Sequence, residues 1–109
     1  MIPHNKPTIG AEEIKAAADC IGNLELTMGT KVKEFEKAFT KYIGVNSVAT
    51  SSGTSALHLA LIATGISRND EVTMPSYTCI AVALPVLYQQ ARPILADVGD
   101  DYNISVEDI

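Results

Sequence analysis

Apolar residues recur at helical spacing in the first 43 positions and then fall into short runs separated by turns. After Gly10, the residues Ile14, Ala17, Ala18 and Ile21 lie three and four apart, the period of one helix face. Glu12 and Glu13 sit in the first turn of that helix, where carboxylates meet the positive end of the helix dipole. Gly22-Asn23 ends the pattern, and Leu24 to Gly29 reads as an irregular link. A second stripe, Val32, Phe35, Phe39 and Tyr42, leaves Lys33, Glu36, Lys37 and Lys41 on other faces. Gly44 stands just past its end, the usual left-handed cap position. Such an aromatic stripe is expected to pack against a sheet.

The rest of the chain alternates. Asn46 to Thr50 predicts a short strand, Ser51-Ser52-Gly53 a turn, and Thr54 to Thr64 a helix with Leu57, Ala60, Leu61 and Thr64 on one face and Gly65 at its end. Asn69-Asp70 turns the chain into a second strand, Glu71 to Met74, stopped by Pro75. An apolar helix over Ala81 to Gln89 contains Pro85, which either begins a shorter helix or kinks a longer one. A third strand, Ile94 to Val98, runs into the turn Gly99-Asp100-Asp101. Strands and helices alternating in this way predict an α/β fold with parallel strands and crossover helices. Ser105-Val-Glu-Asp108 has the form of a further helix start. That start, and the sheet edges three strands would leave open, make the chain read as part of something longer.

Composition narrows the function. The 109 residues fit one domain at most, and 47% of them are hydrophobic, enough to intend a core. A net charge of −5 argues against nucleic acid or an anionic membrane as the main partner. The opening residues MIPHNKPTIG carry no apolar leader, and no apolar run approaches the ~20 residues of a membrane span. A soluble, cytoplasmic protein is expected. Cys20 and Cys79 offer neither a disulfide framework nor metal-ligand spacing, and read as unpaired buried thiols in a reducing compartment. His58 on the third helix reads as a packed or surface side chain, and His4 lies in an extended terminus.

The chemistry concentrates at Ser51-Ser52-Gly53-Thr54-Ser55, a turn that opens a helix. The first N–H groups of a helix have no internal partner, and the dipole places partial positive charge there. Glycine lets a ligand approach the backbone, and hydroxyls add donors, so a phosphate monoester fits without a lysine or arginine. Plain helix capping by serine explains the same residues equally well. The stretch is not a G-x-x-x-x-G-K-[ST] nucleotide loop, a G-x-G-x-x-G dinucleotide turn or a G-x-S-x-G nucleophile elbow.

An ordered set of segments surrounds that turn. It comprises Ile2-Pro3 with Pro7, Leu26-Thr-Met-Gly29, Lys31-Val32-x-Glu34-Phe35-Glu36, and SSGTSALHLAL over residues 51–61. It continues through Asp70-Glu-Val72, Met74-Pro-Ser-Tyr-Thr78, Ala91-Arg-Pro93, Ala96-Asp97-Val98 and Asn103-Ile104. In this order and at this spacing, over nearly the whole chain, the set resembles the opening of the fold-type-I, pyridoxal-phosphate (PLP) dependent sugar aminotransferases of the DegT–StrS group.

The resemblance implies an incomplete N-terminal part of a PLP-transferase large domain. Residues 1–30 would form an arm with the first helix, and residues 31–109 the start of the PLP-binding domain. It implies that Gly53, Thr54 and Ser55 hold the cofactor phosphate through backbone N–H groups and hydroxyls. Thr27 and Gly29 would line the substrate side. Cys79 stands where the family carries the aromatic that stacks on the pyridine ring. A thiol packs against a ring but does not stack, so either Tyr77 substitutes or the stack is weaker. Asp97, after a strand, is placed either for function or to cap the next turn.

The family's Schiff-base lysine and the acid that pairs with the pyridinium nitrogen would follow Ile109, so none of the six lysines is a catalytic candidate. The implied reaction is amino transfer from glutamate or glutamine to a nucleotide-linked keto sugar, in a homodimer. The alternatives are a PLP-dependent sugar dehydratase of the same group, with histidine in the lysine's place, another fold-type-I PLP enzyme such as a lyase or amino-acid aminotransferase, and a non-enzymatic phosphate-binding α/β module. On the aminotransferase reading the 109 residues cradle the cofactor but are inactive alone.

Overall fold

The computed structural model describes residues 2–109. It divides into two compact units, Met1–Ala49 and Thr50–Ile109.

The first unit carries two helices. α1 (Ala11–Gly22) starts where the acidic first turn places it: Glu13 folds back so that its Oε2 accepts a hydrogen bond from Gly10 N–H at 2.7 Å. That bond holds the Glu13 carboxyl below its ordinary range. Lys15 pairs with Asp19 at 2.8 Å, one turn on along the exposed face. α2 (Thr30–Ile43) ends on Gly44, whose φ of 80° is left-handed and lets its N–H reach Thr40 O at 2.9 Å. Phe35 and Phe39 stack obliquely along α2 with centroids 5.9 Å apart. Both stay substantially exposed, as do Ile14, Ile21, Leu24, Leu26 and Met28 in the same unit.

Asn46 to Thr50 forms no strand among the described residues, contrary to expectation. The physical reason lies in where its backbone donors go. Ser47 N–H donates to Thr40 Oγ1 at 3.0 Å and Ala49 N–H to Glu36 Oε1 at 2.9 Å. Side chains of α2 thus take the place of a neighbouring strand.

The second unit holds α3 (Gly53–Ala63), β1 (Glu71–Pro75), α4 (Ala83–Tyr88) and β2 (Arg92–Ala96). β1 and β2 pair in parallel, with Glu71 opposite Arg92 and Pro75 opposite Ala96. The first of these couples also forms an ion pair. The described sheet therefore has two strands rather than three, because the 46–50 segment finds no ladder. β2 also begins and ends two residues earlier than the apolar run suggested. Arg92 N–H donates to Asp70 O at 2.8 Å, which draws the start of the ladder forward.

Before β1, Asn69 adopts φ 74°, the turn conformation asparagine tolerates. Asp70 Oδ2 fixes that turn by accepting from Ser67 N–H at 2.8 Å. Between the strands, a 3-10 turn over Ile80–Val82 precedes α4. Pro85, third in α4, lies in the first turn, where a missing N–H costs nothing. It begins a shorter helix instead of kinking a longer one. Met74, Ala83, Pro85, Val86, Ala91 and Ala96 form the buried core around this strand–helix–strand unit. The closing segment makes a bridge between Val98 and Ile104 and only a 3-10 turn over Val106–Asp108, with no side-chain cap from Ser105. Asp108 is instead drawn back to accept from Asp97 N–H at 2.6 Å.

Candidate functional site

α3 begins as its sequence dictates. Ser52 is the cap residue, extended at φ −161° and ψ 160°. Its Oγ accepts from Ser55 N–H at 3.1 Å, three residues on, which is what a serine cap does. The Oγ atoms of Ser52 and Ser55 lie 3.0 Å apart, and those of Ser51 and Ser55 3.4 Å apart. Thr50 Oγ1 donates to Ser52 O at 2.9 Å, and Ala56 N–H to the same oxygen at 3.0 Å. Neither Gly53 N–H nor Thr54 N–H has a partner among the described residues.

These two donors, with the Thr54 and Ser55 hydroxyls, make up a small anion-receiving surface at the positive end of an 11-residue helix. Gly53 has an ordinary backbone, so the turn itself does not require glycine. A Cβ there would meet nothing within 4 Å; glycine leaves the space above the N–H pair open to a ligand.

Tyr77 and Cys79 lie on the loop leaving the C-terminal end of β1. Ser76 N–H donates to Ala96 O at 2.8 Å, which carries the ladder one residue past Pro75 and fixes where the loop departs. Tyr77 is 73% exposed, and its ring lies obliquely against Tyr102, centroids 6.3 Å apart. Cys79 is exposed rather than buried, and its carbonyl accepts from Val82 N–H at 2.9 Å to begin the 3-10 turn. Asp97 does not cap across the following turn. Its Oδ1 accepts from the adjacent Val98 N–H at 2.8 Å, and its carbonyl accepts from Ser105 N–H at 2.8 Å.

Thr27 and Gly29 belong to the other unit. Thr27 is exposed, and Gly29 is the cap residue of α2, accepting from Lys33 N–H at 3.3 Å. Nearby, Glu34 accepts from Lys31 Nζ at 2.8 Å and raises the lysine's affinity for its proton. The lysine is thus committed to an exposed helix-face pair.

His58 is a packing residue. Its Nε2 lies 2.7 Å from Gln89 Nε2, and its ring meets Tyr88 edge-on at 5.3 Å, tying α3 to the end of α4. The described residues contain no cluster of three or more His, Cys, Asp or Glu arranged to hold a metal. None of their helices is long and apolar enough to cross a membrane.

Two contacts escaped the sequence reading. Capping by serine was expected within Ser51–Ser55, but which serine was not given; Ser52 does it, and its signal is the three-residue spacing to Ser55. Tyr102 meets Tyr77 from 25 residues away, a pairing that no local pattern announces.

Comparison with known proteins places this geometry in context. The DegT/DnrJ/EryC1/StrS aminotransferase family matches residues 7–109. An uncharacterized protein of Methanocaldococcus jannaschii is 38% identical over 99% of this chain and 28% of its own length. Spr1654 of Streptococcus pneumoniae, named as a candidate sugar aminotransferase and solved in its PMP form, superposes with a TM-score of 0.88 at 28% identity, over 98% of this chain and 28% of its own. The GDP-4-keto-6-deoxy-D-mannose-3-dehydratase of E. coli, solved with bound hydrated PLP, superposes with a TM-score of 0.85 at 26% identity, over 96% of this chain and 29% of its own. The chain thus spans under a third of the length of these relatives.

Proposed function

We propose that this chain, which belongs to the DegT/DnrJ/EryC1/StrS aminotransferase family, supplies the phosphate cradle of a PLP-dependent enzyme acting on keto sugars. The observation that carries the reading is the pair of free N–H groups on Gly53 and Thr54, at the start of a helix whose cap is already satisfied by Ser52. The cradle fits a phosphate monoester in charge, in donor number and in the open space over Gly53.

Bound there, PLP supplies an electron sink and an amino-group carrier. The residues of this chain bind and orient it. Gly53 and Thr54 N–H donate to the phosphate, the Thr54 and Ser55 hydroxyls add two further donors, and the α3 dipole offsets its charge. Tyr77 offers an aromatic face, and Cys79 a polarizable contact, to the pyridine ring. Thr27 and Gly29 belong to the substrate side. The amino donor is glutamate or glutamine, and the acceptor is a nucleotide-linked keto sugar, with the enzyme acting as a homodimer.

A sugar dehydratase is the second reading, favoured by the superposition on the E. coli dehydratase. Incubating the whole enzyme with glutamate and a nucleotide-linked keto sugar separates the two: an amino sugar marks the transferase, and a dehydrated sugar without amino incorporation marks the dehydratase.

The cradle is tested by amide chemical shifts. PLP and inorganic phosphate should move the Gly53 and Thr54 resonances, whereas pyridoxal, which lacks the phosphate, should not. Thr54→Ala should weaken PLP binding by about tenfold, the loss of one hydrogen bond to a charged group. Equal binding of pyridoxal and PLP would sink the reading.

A further inference from the structure

Two loops leave the same end of the parallel strand pair. The loop after β1 is tied there by Ser76 N–H, which donates to Ala96 O at 2.8 Å, and Tyr77 follows at once. The loop after β2 folds into a hairpin. Val98 and Ile104 bridge antiparallel, Gly99 N–H donates to Asn103 O at 2.9 Å, and Tyr102 N–H donates to Gly99 O at 2.9 Å. Asp97 holds the base of this hairpin to the end of β2, its carbonyl accepting from Ser105 N–H and its N–H donating to Asp108 Oδ2. Asp100, Asp101 and Tyr102 thus form a three-residue closure, whose third residue takes the left-handed conformation at φ 62°.

That third position suits glycine. A side chain there brings Cβ against the following carbonyl oxygen, and tyrosine has no short polar group to compensate, as asparagine has. The hairpin therefore carries a residue that its own backbone disfavours. Burial does not offset this, since Tyr102 is 75% exposed. Its ring meets Tyr77 instead, with centroids 6.3 Å apart and planes tilted by 43°, within the range of attractive aromatic pairs. Strain kept beneath an exposed side chain points to a functional constraint.

We propose that Tyr102 is a positioning residue, which holds the Tyr77 ring ready for the pyridine ring of PLP. An exposed tyrosine on a loop samples several rotamers, and a neighbouring ring on an anchored hairpin removes that freedom before the cofactor arrives. Both rings belong to the second unit, and the contact between them is direct. The inference rests on the reading of Tyr77 as the aromatic face offered to the cofactor.

The test uses the whole enzyme and a PLP analogue with a methyl group in place of the aldehyde, whose affinity reports contacts alone. Tyr102→Gly should weaken the analogue by about fivefold, the worth of one aromatic pair, and leave inorganic phosphate binding as it was. Glycine suits the turn, so the midpoint of thermal unfolding should hold or rise. Tyr102→Phe keeps the ring and should bind the analogue as the parent does. In enzyme labelled with meta-fluorotyrosine, the Tyr77 fluorine resonance, assigned through Tyr77→Phe, should move in Tyr102→Gly and stay in Tyr102→Phe. A Tyr77 resonance that ignores Tyr102→Gly would overturn the proposal. So would unchanged analogue affinity in Tyr102→Gly where Tyr77→Ala does weaken it; a lowered unfolding midpoint alongside would make Tyr102 a structural residue only. If Tyr77→Ala leaves the analogue's affinity intact while the resonance still answers to Tyr102→Gly, the ring-contact reading of Tyr77 falls and the pairing stands. Should Tyr102→Gly fail to fold, Tyr102→Asn, which also tolerates the left-handed backbone, takes its place with the same expected outcomes.

Discussion

Asp101 illustrates how one carboxylate organises a turn without burial. Its two oxygens accept from Asn103 Nδ2 at 2.9 Å and from Asn103 N–H at 3.1 Å. These bonds, the side-chain one foremost, hold its carboxyl below the ordinary range. A depressed folded value means that the carboxylate favours the folded turn at pH values above its unfolded pKa of about 3.9. The contribution fades as pH falls below that value and through the folded one. A nuclear magnetic resonance titration should therefore find the Asp101 midpoint below that of an unstructured peptide, and Asn103→Ala should bring it back up. At this same scale the sequence was legible in part. Ser-Gly-Thr before a helix announced a cap and free donors. It did not give the capping residue: the helix was expected from Thr54, and it starts one residue earlier, at Gly53, with Ser52 as its cap. Asp97 was ambiguous for a different reason: its partners, Ser105 and Asp108, come from a closing loop that no local spacing specifies.

The first three helices and the strands β1 and β2 were readable, to within two residues, and the strand expected at 46–50 was not. α1, α2 and α3 follow from apolar spacing and terminal glycines, with an acidic first turn in α1 alone, all of which act within a few residues. Whether 46–50 becomes a strand depends instead on which group receives the Ser47 and Ala49 donors, a matter decided by α2. The helix around Pro85 was readable only as two alternatives, since proline suits a first turn and disrupts an interior. α4 matters because it carries the most buried side chains onto the strand pair. Val86 is 2% exposed, and its carbonyl accepts from Ala91 N–H at 3.1 Å as the chain turns toward β2. Val86→Ala should cost on the order of 2 kcal/mol through lost burial and the space left behind. Denaturant unfolding followed through the β1 and β2 amides would measure it. A loss below about 0.5 kcal/mol would show that α4 does not anchor the pair.

Across the whole molecule, apolar surface outweighs core. Among the described residues the buried hydrophobic ones are Met74, Ala83, Val86, Ala91 and Ala96, small side chains for the most part, while Phe35, Tyr42, Leu59, Ile62 and Leu95 remain exposed. Such surface seeks a partner. The 109-residue chain should associate in a concentration-dependent way, with a weight-average mass by sedimentation well above 11.6 kDa. A monomer at all concentrations would count against this. The α/β class and the family were legible because many short motifs stand in order over nearly the full length. The extent of the sheet was not, because a ladder needs both of its strands and periodicity describes one at a time.

The cap made by Ser52 has a consequence for how the cradle would respond to acid. Backbone amides and the Ser and Thr hydroxyls do not change protonation state in the working range of an enzyme. The turn from Ser51 to Ser55 contains no group that does. The turn itself thus adds no proton dependence to binding at this end of α3, and the dependence expected is that of the guest. Affinity for a phosphate monoester should climb as the ester loses its second proton near pH ~6 and level off above it. A sulfate monoester of the same shape, a monoanion with no such proton to lose, should bind with an affinity that is flat over the same interval.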